Sequence, residues 1–444
     1  MLRDNKLLLY YRMLRGEGPA SMLRRAADRA EEARRRRSFR RIDRQSFSRL
    51  AARAPVLNYL ATPPSVRFGG TPLQLIARLG EEARHRTVAL LYPIGNRYRL
   101  EIEDGKARHA VEFHDAFEPV ISEVAQRLKV SAIHFEGAAG VPLESAAKLP
   151  GRGLRLIISL HDFALFCARP NLLEVPAARF CNYCCEDARC ERCLSESWPV
   201  QVGAQQSYRS ISRRLLGDAD VVVYPSEFLL RQHRELFPDI EIPMQLVIEP
   251  ALRLTRPLAS MPSIKGTPKH FAFVGSMTTP KGANIFEEVV ARSSARLGTV
   301  RWSAFGAGDA AMLARLRGLG VMTHGYYRSG TLSSLLRDHA VDGVLLPSIV
   351  PESFGLALSE SWMAGVPGVA FDHGAIAERI HRYGGGALVK LEDGSRGVSD
   401  LIEAIASGSV KIPALDERMT IQTPQNAASA HLQLYQELGF LRTA

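Results

Sequence analysis

"LLPSIVPESFGLALSE", residues 345–360, reads as a buried strand, a loop punctuated by Pro347 and Pro351, and a helix that starts near Ser353. At such a start the backbone N–H groups of Phe354, Gly355 and Leu356 have no partners within the helix and favour an anion. Gly355 lets a ligand approach the backbone closely. Glu352 in the loop and Glu360, about two turns in, are suited to hold the hydroxyls of two polyols, because each carboxylate accepts two or more donors. The alternative is that Glu352 only complements the positive end of the helix dipole.

Similar units flank this stretch. "HFAFVGSM" (270–277), "VRWSAFGAG" (300–308), "VMTHGYY" (321–327), "DGVLLPSI" (342–349), "VPGVAFDHG" (366–374) and "GALVKL" (386–391) are short apolar runs with helical sequence between them. An earlier series comprises "VLNYLATPP" (56–64), "TVALLYPI" (87–94), "VSAIHFEG" (130–137), "LRLIISLHDF" (154–163) and "ADVVVYPSE" (219–227). Near-continuous apolar runs mark parallel strands buried on both faces. The expected fold is α/β, with two doubly wound Rossmann-like domains over 54–250 and 270–418 facing across a cleft. The proline-rich stretch 251–269 is read as the linker between them, and 419–444 as a helix returning to the N-terminal domain.

A chain of 444 residues with 46% hydrophobic content holds two or three domains with buried cores. No apolar run reaches the roughly eighteen residues that span a bilayer, and "LLLYY" (7–11) is too short for a signal peptide, so a cytoplasmic location is expected. Residues 1–53 carry sixteen basic side chains against six acids, so +10 of the net +11 lies in one helix-rich extension. A solvated helix and an anionic membrane surface are the two readings of that charge, the latter placing the protein peripherally on the inner membrane face. Nucleic acid is an unlikely partner because aromatic residues are scarce there.

"PSIVPESFGLALSESWMAGVP" (347–367) resembles the E-x7-E signature of the retaining glycosyltransferases of family four, which have the GT-B fold and use nucleotide-diphosphate sugars. "FVGSMTTPKGANIFEEVV" (273–290) is similar to the diphosphate-binding stretch of that family, "FGAG" (305–308) to its next strand end, and "HGYY" (324–327) to its base-side loop. "GVPGVAFDHGAIAE" (365–378) resembles the usual continuation. In the N-terminal half, "RFGGTPLQL" (67–75) resembles the glycine loop below the donor phosphates, and "SLHDFALFC" (159–167) the acceptor-side strand end that carries a histidine. The resemblance implies an acceptor domain followed by a nucleotide-sugar domain. It places Glu352 on the transferred sugar, the amides of Phe354, Gly355 and Leu356 on sugar and phosphate, and Glu360 on the ribose. Lys281 would neutralise the departing diphosphate, Gly69 and Gly70 would approach it, and His161 would orient sugar or acceptor. Ser276 stands where the family often has an arginine, while Asp162 is read as structural. No covalent nucleophile and no D-x-D motif is evident, so catalysis is expected to need no cofactor. The leaving phosphate would help deprotonate the acceptor on the same face.

All six cysteines fall between Cys167 and Cys193, and "CNYCCEDARCERC" (181–193) sets Cys181 and Cys184, then Cys190 and Cys193, at C-x2-C spacing. Paired knuckles of this kind hold structural zinc, with Cys167 or Cys185 able to replace one of the four. Free cytosolic thiols, an iron–sulfur cluster or disulfides are the alternatives. Polysaccharide-assembly transferases that resemble this chain carry a cysteine-bearing insertion at this point. The reading reached is transfer of a sugar to a saccharide or lipid-linked saccharide acceptor in the synthesis of cell-surface polysaccharide, that is O-antigen, capsule or exopolysaccharide. A catalytically silent nucleotide-binding scaffold and a nucleotide-sugar epimerase of the same fold are the other classes.

Overall fold

The computed structural model describes residues 18–50, 52–64, 71–105, 107–252, 267, 269–294 and 300–441. Gly69, Gly70 and most of the 251–269 linker lie outside the described residues. The chain forms two units, one of Glu31–Ala177, Cys181–Leu252 and Gln422–Ala444, the other of Met1–Ala30, Ala178–Phe180 and Arg253–Ile421.

In the first unit the strands are β1 (Arg40–Arg41), β2 (Val56–Tyr59), β3 (Val88–Ile94), β4 (Arg97–Glu103), β5 (Arg108–Phe113), β6 (Ala132–Glu136) and β7 (Arg155–Ser159). β8 (Leu173–Glu174) and β9 (Arg179–Phe180) form a separate short ribbon, and β10 (Val221–Tyr224) and β11 (Met244–Val247) complete the sheet. Its order is β1-β5-β4-β3-β2-β6-β7-β10-β11. β2, β3, β6, β7, β10 and β11 run parallel, and β3-β4-β5 is an antiparallel meander. The chain leaves β2 through the helix Thr71–Glu82 to β3 on one side, then reaches β6 on the other through Phe117–Leu128. That reversal opens a crevice at the carboxyl ends of β2 and β6. The helix Pro424–Glu437 belongs to this unit, and its Leu434 and Tyr435 pack with Val56, Ala132, Ile157 and Val221.

Two features differ from the sequence reading. β4 and β5 are absent from it because "RYRLEIE" and "RHAVEF" alternate charge with apolar residues instead of forming apolar runs. Their charges are satisfied by ion pairs: Arg99 with Glu101 at 3.1 Å, and Arg97 with Glu112 at 2.9 Å. The basic segment is also more than an extension. β1 pairs in parallel with β5, Phe47 is fully buried against Phe113, and Arg35, Arg41 and Arg44 pair with Glu101, Glu112 and Glu123. Acids on the neighbouring strands and helix absorb the charge of these three arginines.

The second unit holds β12 (His270–Val274), β13 (Arg301–Phe305), β14 (Met322–Gly325), β15 (Gly343–Leu346), β16 (Gly368–Phe371) and β17 (Gly386–Val389). All are parallel, in the order β14-β13-β12-β15-β16-β17. Phe271, Phe273, Leu345 and Val369 bury their faces against Phe286 and Val289 of the helix Ala283–Ser294 and Val398 and Ile402 of Gly394–Ser407. β12 is the starting strand, with β13 on one side and β15 on the other, so the topological switch point lies between β12 and β15. Glycine lets the backbone close up there. A Cβ on Gly282 (φ +76) would stand 1.8 Å from the Pro347 carbonyl oxygen, and one on Gly306 (φ +152) 1.6 Å from that of Gly275.

Gly282→Ala is therefore expected to lower the unfolding free energy by about 3 kcal/mol, since the clashing partner is backbone and cannot rotate away. Gly80, in the interior of the Thr71–Glu82 helix with nothing within 4 Å of a Cβ, is the contrasting site. Gly80→Ala should raise stability by about 0.5–1 kcal/mol. Urea denaturation of both variants checks the pair of opposite signs.

Candidate functional site

The switch point of the second unit gathers the loop after β12 and the loop after β15. Lys281, following Pro280 in the first loop, forms an ion pair with Glu352 in the second. Ser348 Oγ donates to the same Glu352 oxygen at 2.7 Å, and the His373 ring nitrogen lies 2.7 Å from the Ser348 carbonyl oxygen. Behind Glu352 the Ala375 amide donates to its backbone carbonyl at 2.8 Å. A Cβ on Gly374 would meet the Glu352 nitrogen at 2.8 Å, so the His373–Gly374 turn packs as closely as a glycine permits. Burial works to raise the Glu352 carboxyl, but Lys281 and the Ser348 hydroxyl outweigh it and hold the group below its ordinary value. Lys281 keeps 43% of its side chain exposed, so its ammonium remains open to a second anion.

The adjoining helix is Leu356–Met363, with Gly355 at φ +85 as its cap, and so begins three residues later than the sequence reading. Left-handed backbone at Gly355 turns the chain sharply into the helix, and Ile376 packs where a Cβ would be. Among the described residues no protein group accepts from the amides of Phe354, Gly355 or Leu356. The Phe354 ring itself is buried beneath the Arg379 guanidinium, 4.1 Å from the ring centre. Arg379 also donates to the carbonyls of Phe354 and Gly355 at 3.3 Å and to Ser359 Oγ at 2.7 Å. It sets the shape of the loop, and nothing in the local motif announces it.

Glu360 is only 2% exposed. One oxygen accepts from Ser329 Oγ at 3.1 Å and Gly330 N at 2.8 Å, and the other from Leu332 N at 3.0 Å. Burial nonetheless lifts its carboxyl above the ordinary value. Any hydroxyl donor shares these oxygens with the 329–332 turn. Ser276 is exposed at the end of β12, beside Met277, whose amide donates to the Ala307 carbonyl at 2.7 Å.

The "HGYY" stretch after β14 carries a contact absent from the sequence reading. The helix Pro19–Arg37, in the part that belongs to this unit, docks on it: Arg24 donates to the carbonyls of Tyr326 (2.7 Å) and His324 (2.6 Å). Ser21 Oγ accepts from the Tyr326 amide at 3.0 Å, and the Tyr326 hydroxyl donates to Asp28 at 2.7 Å. Residues from a segment that the composition marks only as basic therefore shape the edge of the candidate nucleotide site.

In the first unit, His161 follows β7 and lines a pocket at the carboxyl ends of β6, β7, β10 and β11, with Gln74, Arg78, Glu136, Ser159 and His431. Burial, with Arg78 nearby, pushes His161 down to about 4, so it is a neutral imidazole at ordinary pH. Arg78 is 4% exposed, pairs with Glu136 and Glu82, and leaves Nη1 without a partner among the described residues. Asp162 caps the following turn by accepting from the Ala164 amide at 2.8 Å. Gln74 and Arg78 sit on the helix that follows the glycine loop, at a spacing that puts them on one face.

Cys167, Cys181, Cys184, Cys190 and Cys193 all line one small cavity, whereas Cys185 is exposed. Among the described residues no three cysteine, histidine or acidic side chains converge on a common point as metal ligands.

Residues 268–407, a segment of the second unit, match the family model described as Glycosyl transferases group 1. No curated protein sequence matches the chain. Among solved structures, a glycosyltransferase from Rickettsia africae is 13% identical with a TM-score of 0.58, the match covering 89% of this chain and all of that one. Sucrose-phosphate synthase from Thermosynechococcus elongatus is 14% identical at 0.57, covering 87% of this chain and 99% of the other. Anabaena HepE in complex with UDP-glucose is 16% identical at 0.54, covering 87% and 100%. The fold is GT-B, with two Rossmann-like α/β domains.

Because Glu360 holds the 329–332 turn through three hydrogen bonds, Glu360→Ala should cost about 1.5–3 kcal/mol of stability whether or not a ligand is present. Denaturant titration of the ligand-free protein measures this. Unchanged stability would mean that the turn does not depend on the carboxylate.

Proposed function

We propose that this chain is a retaining glycosyltransferase that moves a sugar from a nucleotide-diphosphate sugar to a saccharide or lipid-linked saccharide in cell-surface polysaccharide synthesis. The observation that carries this reading is the Lys281–Glu352 pair at the switch point, beside the amides of Phe354, Gly355 and Leu356, which no protein group among the described residues occupies. The group 1 family match over the same residues and the UDP-glucose complex of the similar Anabaena protein support a nucleotide-sugar donor.

The parts divide the work by charge. Lys281 and the amides of Phe354, Gly355 and Leu356 face the diphosphate, whose negative charge grows as the sugar–phosphate bond breaks. Glu352, kept ionised by Lys281, accepts hydroxyls of the transferred sugar and orients its ring. Glu360 holds the ribose as well as its turn, and Ser276 borders the phosphates. Gly69 and Gly70 are assigned to the diphosphate by the resemblance of their stretch to the family's glycine loop. His161, neutral, orients sugar or acceptor and does not take the full charge of a general acid. The acceptor proton goes to the leaving phosphate on the same face, so the protein supplies no covalent nucleophile. The reaction needs no cofactor from this chain.

A silent nucleotide-binding scaffold is the second reading, favoured by the uncharged, exposed Ser276 at the end of β12. Turnover separates the two. Lys281→Ala should lower kcat by about 100-fold or more while changing donor Kd by less than about 10-fold, as befits a charge that acts mainly in the transition state. Single-turnover kinetics and calorimetry give the two numbers. Equal losses in both, or none in either, would remove Lys281 from that role.

We further propose that the protein works peripherally on the cytoplasmic face of the membrane, where a lipid-linked acceptor is held. Arg34, Arg36, Arg37 and Arg40 are exposed close together along the segment, and they are the cations offered to acidic headgroups. Sedimentation with vesicles containing anionic lipid should retain the protein in a salt-sensitive way. Replacing these four arginines by glutamine should abolish retention; retention unaffected by that change would rule out this surface.

A further inference from the structure

We propose that the cavity in the 167–193 insertion is a structural zinc site whose ligands are the thiolates of Cys167, Cys181, Cys190 and Cys193, with Cys184 beside it but outside the ligand set. This inference does not depend on the glycosyl-transfer reading. The cavity measures about 20 Å³, room for one water-sized particle or one ion. Five of the six cysteines line it, brought there from three pieces of chain: Cys167 from the turn after β7, Cys181 and Cys184 from the loop after β9, and Cys190 and Cys193 from the helix Asp187–Ser195. Cys190 and Cys193 share one face of that helix through their spacing of three.

Hydrogen bonds select four of the five. The Arg169 amide donates to Cys167 Sγ at 3.4 Å, and the Val175 amide to Cys193 Sγ at 3.4 Å. The amides of Tyr183 and Cys184 both turn onto Cys181, because Asn182 and Tyr183 take left-handed backbone, φ 50 and 54. Consecutive amides aimed at one sulfur form a nest for negative charge, and left-handed backbone at a residue as large as tyrosine is uncommon enough to require a use. Arg209 Nη2 approaches Cys190 Sγ at 3.7 Å. Among the described residues, Cys184 Sγ receives no such N–H donor and only donates towards the Glu186 carbonyl, at 3.9 Å. The four sulfurs that meet N–H donors are the four assigned to the metal.

Charge and core size point the same way. Four thiolates around Zn²⁺ leave a net charge of −2, which the guanidiniums of Arg169 and Arg209 at the cavity wall offset. Arg169 Nε is buried without a partner among the described residues, a donor in reserve for sulfur. Between residues 173 and 193 Cys190 is the only buried apolar side chain, too little core to order a segment of that length without a cross-link. Among the described residues no three of these side chains converge on one point in the metal-free arrangement, so binding would draw the four sulfurs together about the metal and release one proton from each thiol to solvent.

Metal analysis of the full chain, purified with zinc and reductant, should find one zinc per chain. The cobalt-substituted protein should show thiolate charge-transfer and tetrahedral visible bands. Cys167→Ser and Cys190→Ser should abolish that stoichiometry, and Cys184→Ser and Cys185→Ser should preserve it. Should the serine variants be insoluble, thiol-reagent-triggered zinc release from the unaltered protein, followed with a chromophoric chelator, reads the same count. Less than stoichiometric zinc, iron in its place, or fewer than six titratable thiols in the metal-free unreduced chain would overturn the site. Zinc retained by Cys167→Ser but lost by Cys184→Ser would overturn the ligand set.

Discussion

Two backbones meet almost without side chains at the switch point of the second sheet, and much of the candidate site follows from that approach. Gly282 stands against the Pro347 carbonyl so closely that no Cβ fits between them. The contact fixes where the chain leaves β12 and where it leaves β15. Lys281 is the residue before Gly282, and Glu352 closes the loop that begins at Pro347, so their ion pair is a consequence of the contact. The Ser348 hydroxyl and the turn at Gly374 then hold the carboxylate from two further directions. A lysine paired to a partly buried carboxylate but itself still part exposed is poised to exchange or share its partner with an incoming phosphate.

The first unit builds its pocket differently. Its crevice at β2 and β6 is walled by charge: Arg78 on the helix Thr71–Glu82 and Arg86 in the turn after it meet Glu82 and Glu136 in a buried network closed by the helix Pro424–Glu437, whose Tyr435 hydroxyl lies 2.8 Å from His134 Nδ1. Buried ion pairs of this kind add little net stability, because desolvation offsets most of their attraction, but they restrict where each group can point. Burial, with Arg78 nearby, keeps His161 neutral, which suits orientation by hydrogen bonding better than proton transfer.

Legibility in the sequence follows burial. The six strands of the second sheet read directly because both faces are covered and each run is apolar throughout. β4 and β5 escape the same reading: Arg99, Glu101 and Glu112 sit in them as charged residues whose partners lie on adjacent strands and on the basic helix. Glu352 and Glu360 are visible as a spaced pair of acids. That one is held by a lysine and the other by the 329–332 turn is not visible, because the turn lies about thirty residues upstream. Arg379 and Arg24 escape notice too, since each acts on carbonyl groups of a loop to which no motif connects it.

Alone, the sequence determined the parallel α/β class, the position of the strand-to-helix loops, the two carboxylates, the lysine and the cluster of cysteines, because apolar period, glycine and residue chemistry are local properties. Tertiary structure decided which of these groups are open and which are spent. The order of strands puts Lys281 against Glu352, a turn occupies Glu360, and the fold brings Cys167 to the cysteine cavity while leaving Cys185 outside. The physical reason is that a hydrogen-bond donor or a counter-charge serves whatever group the fold brings within about 3 Å, and that distance bears no relation to separation along the chain.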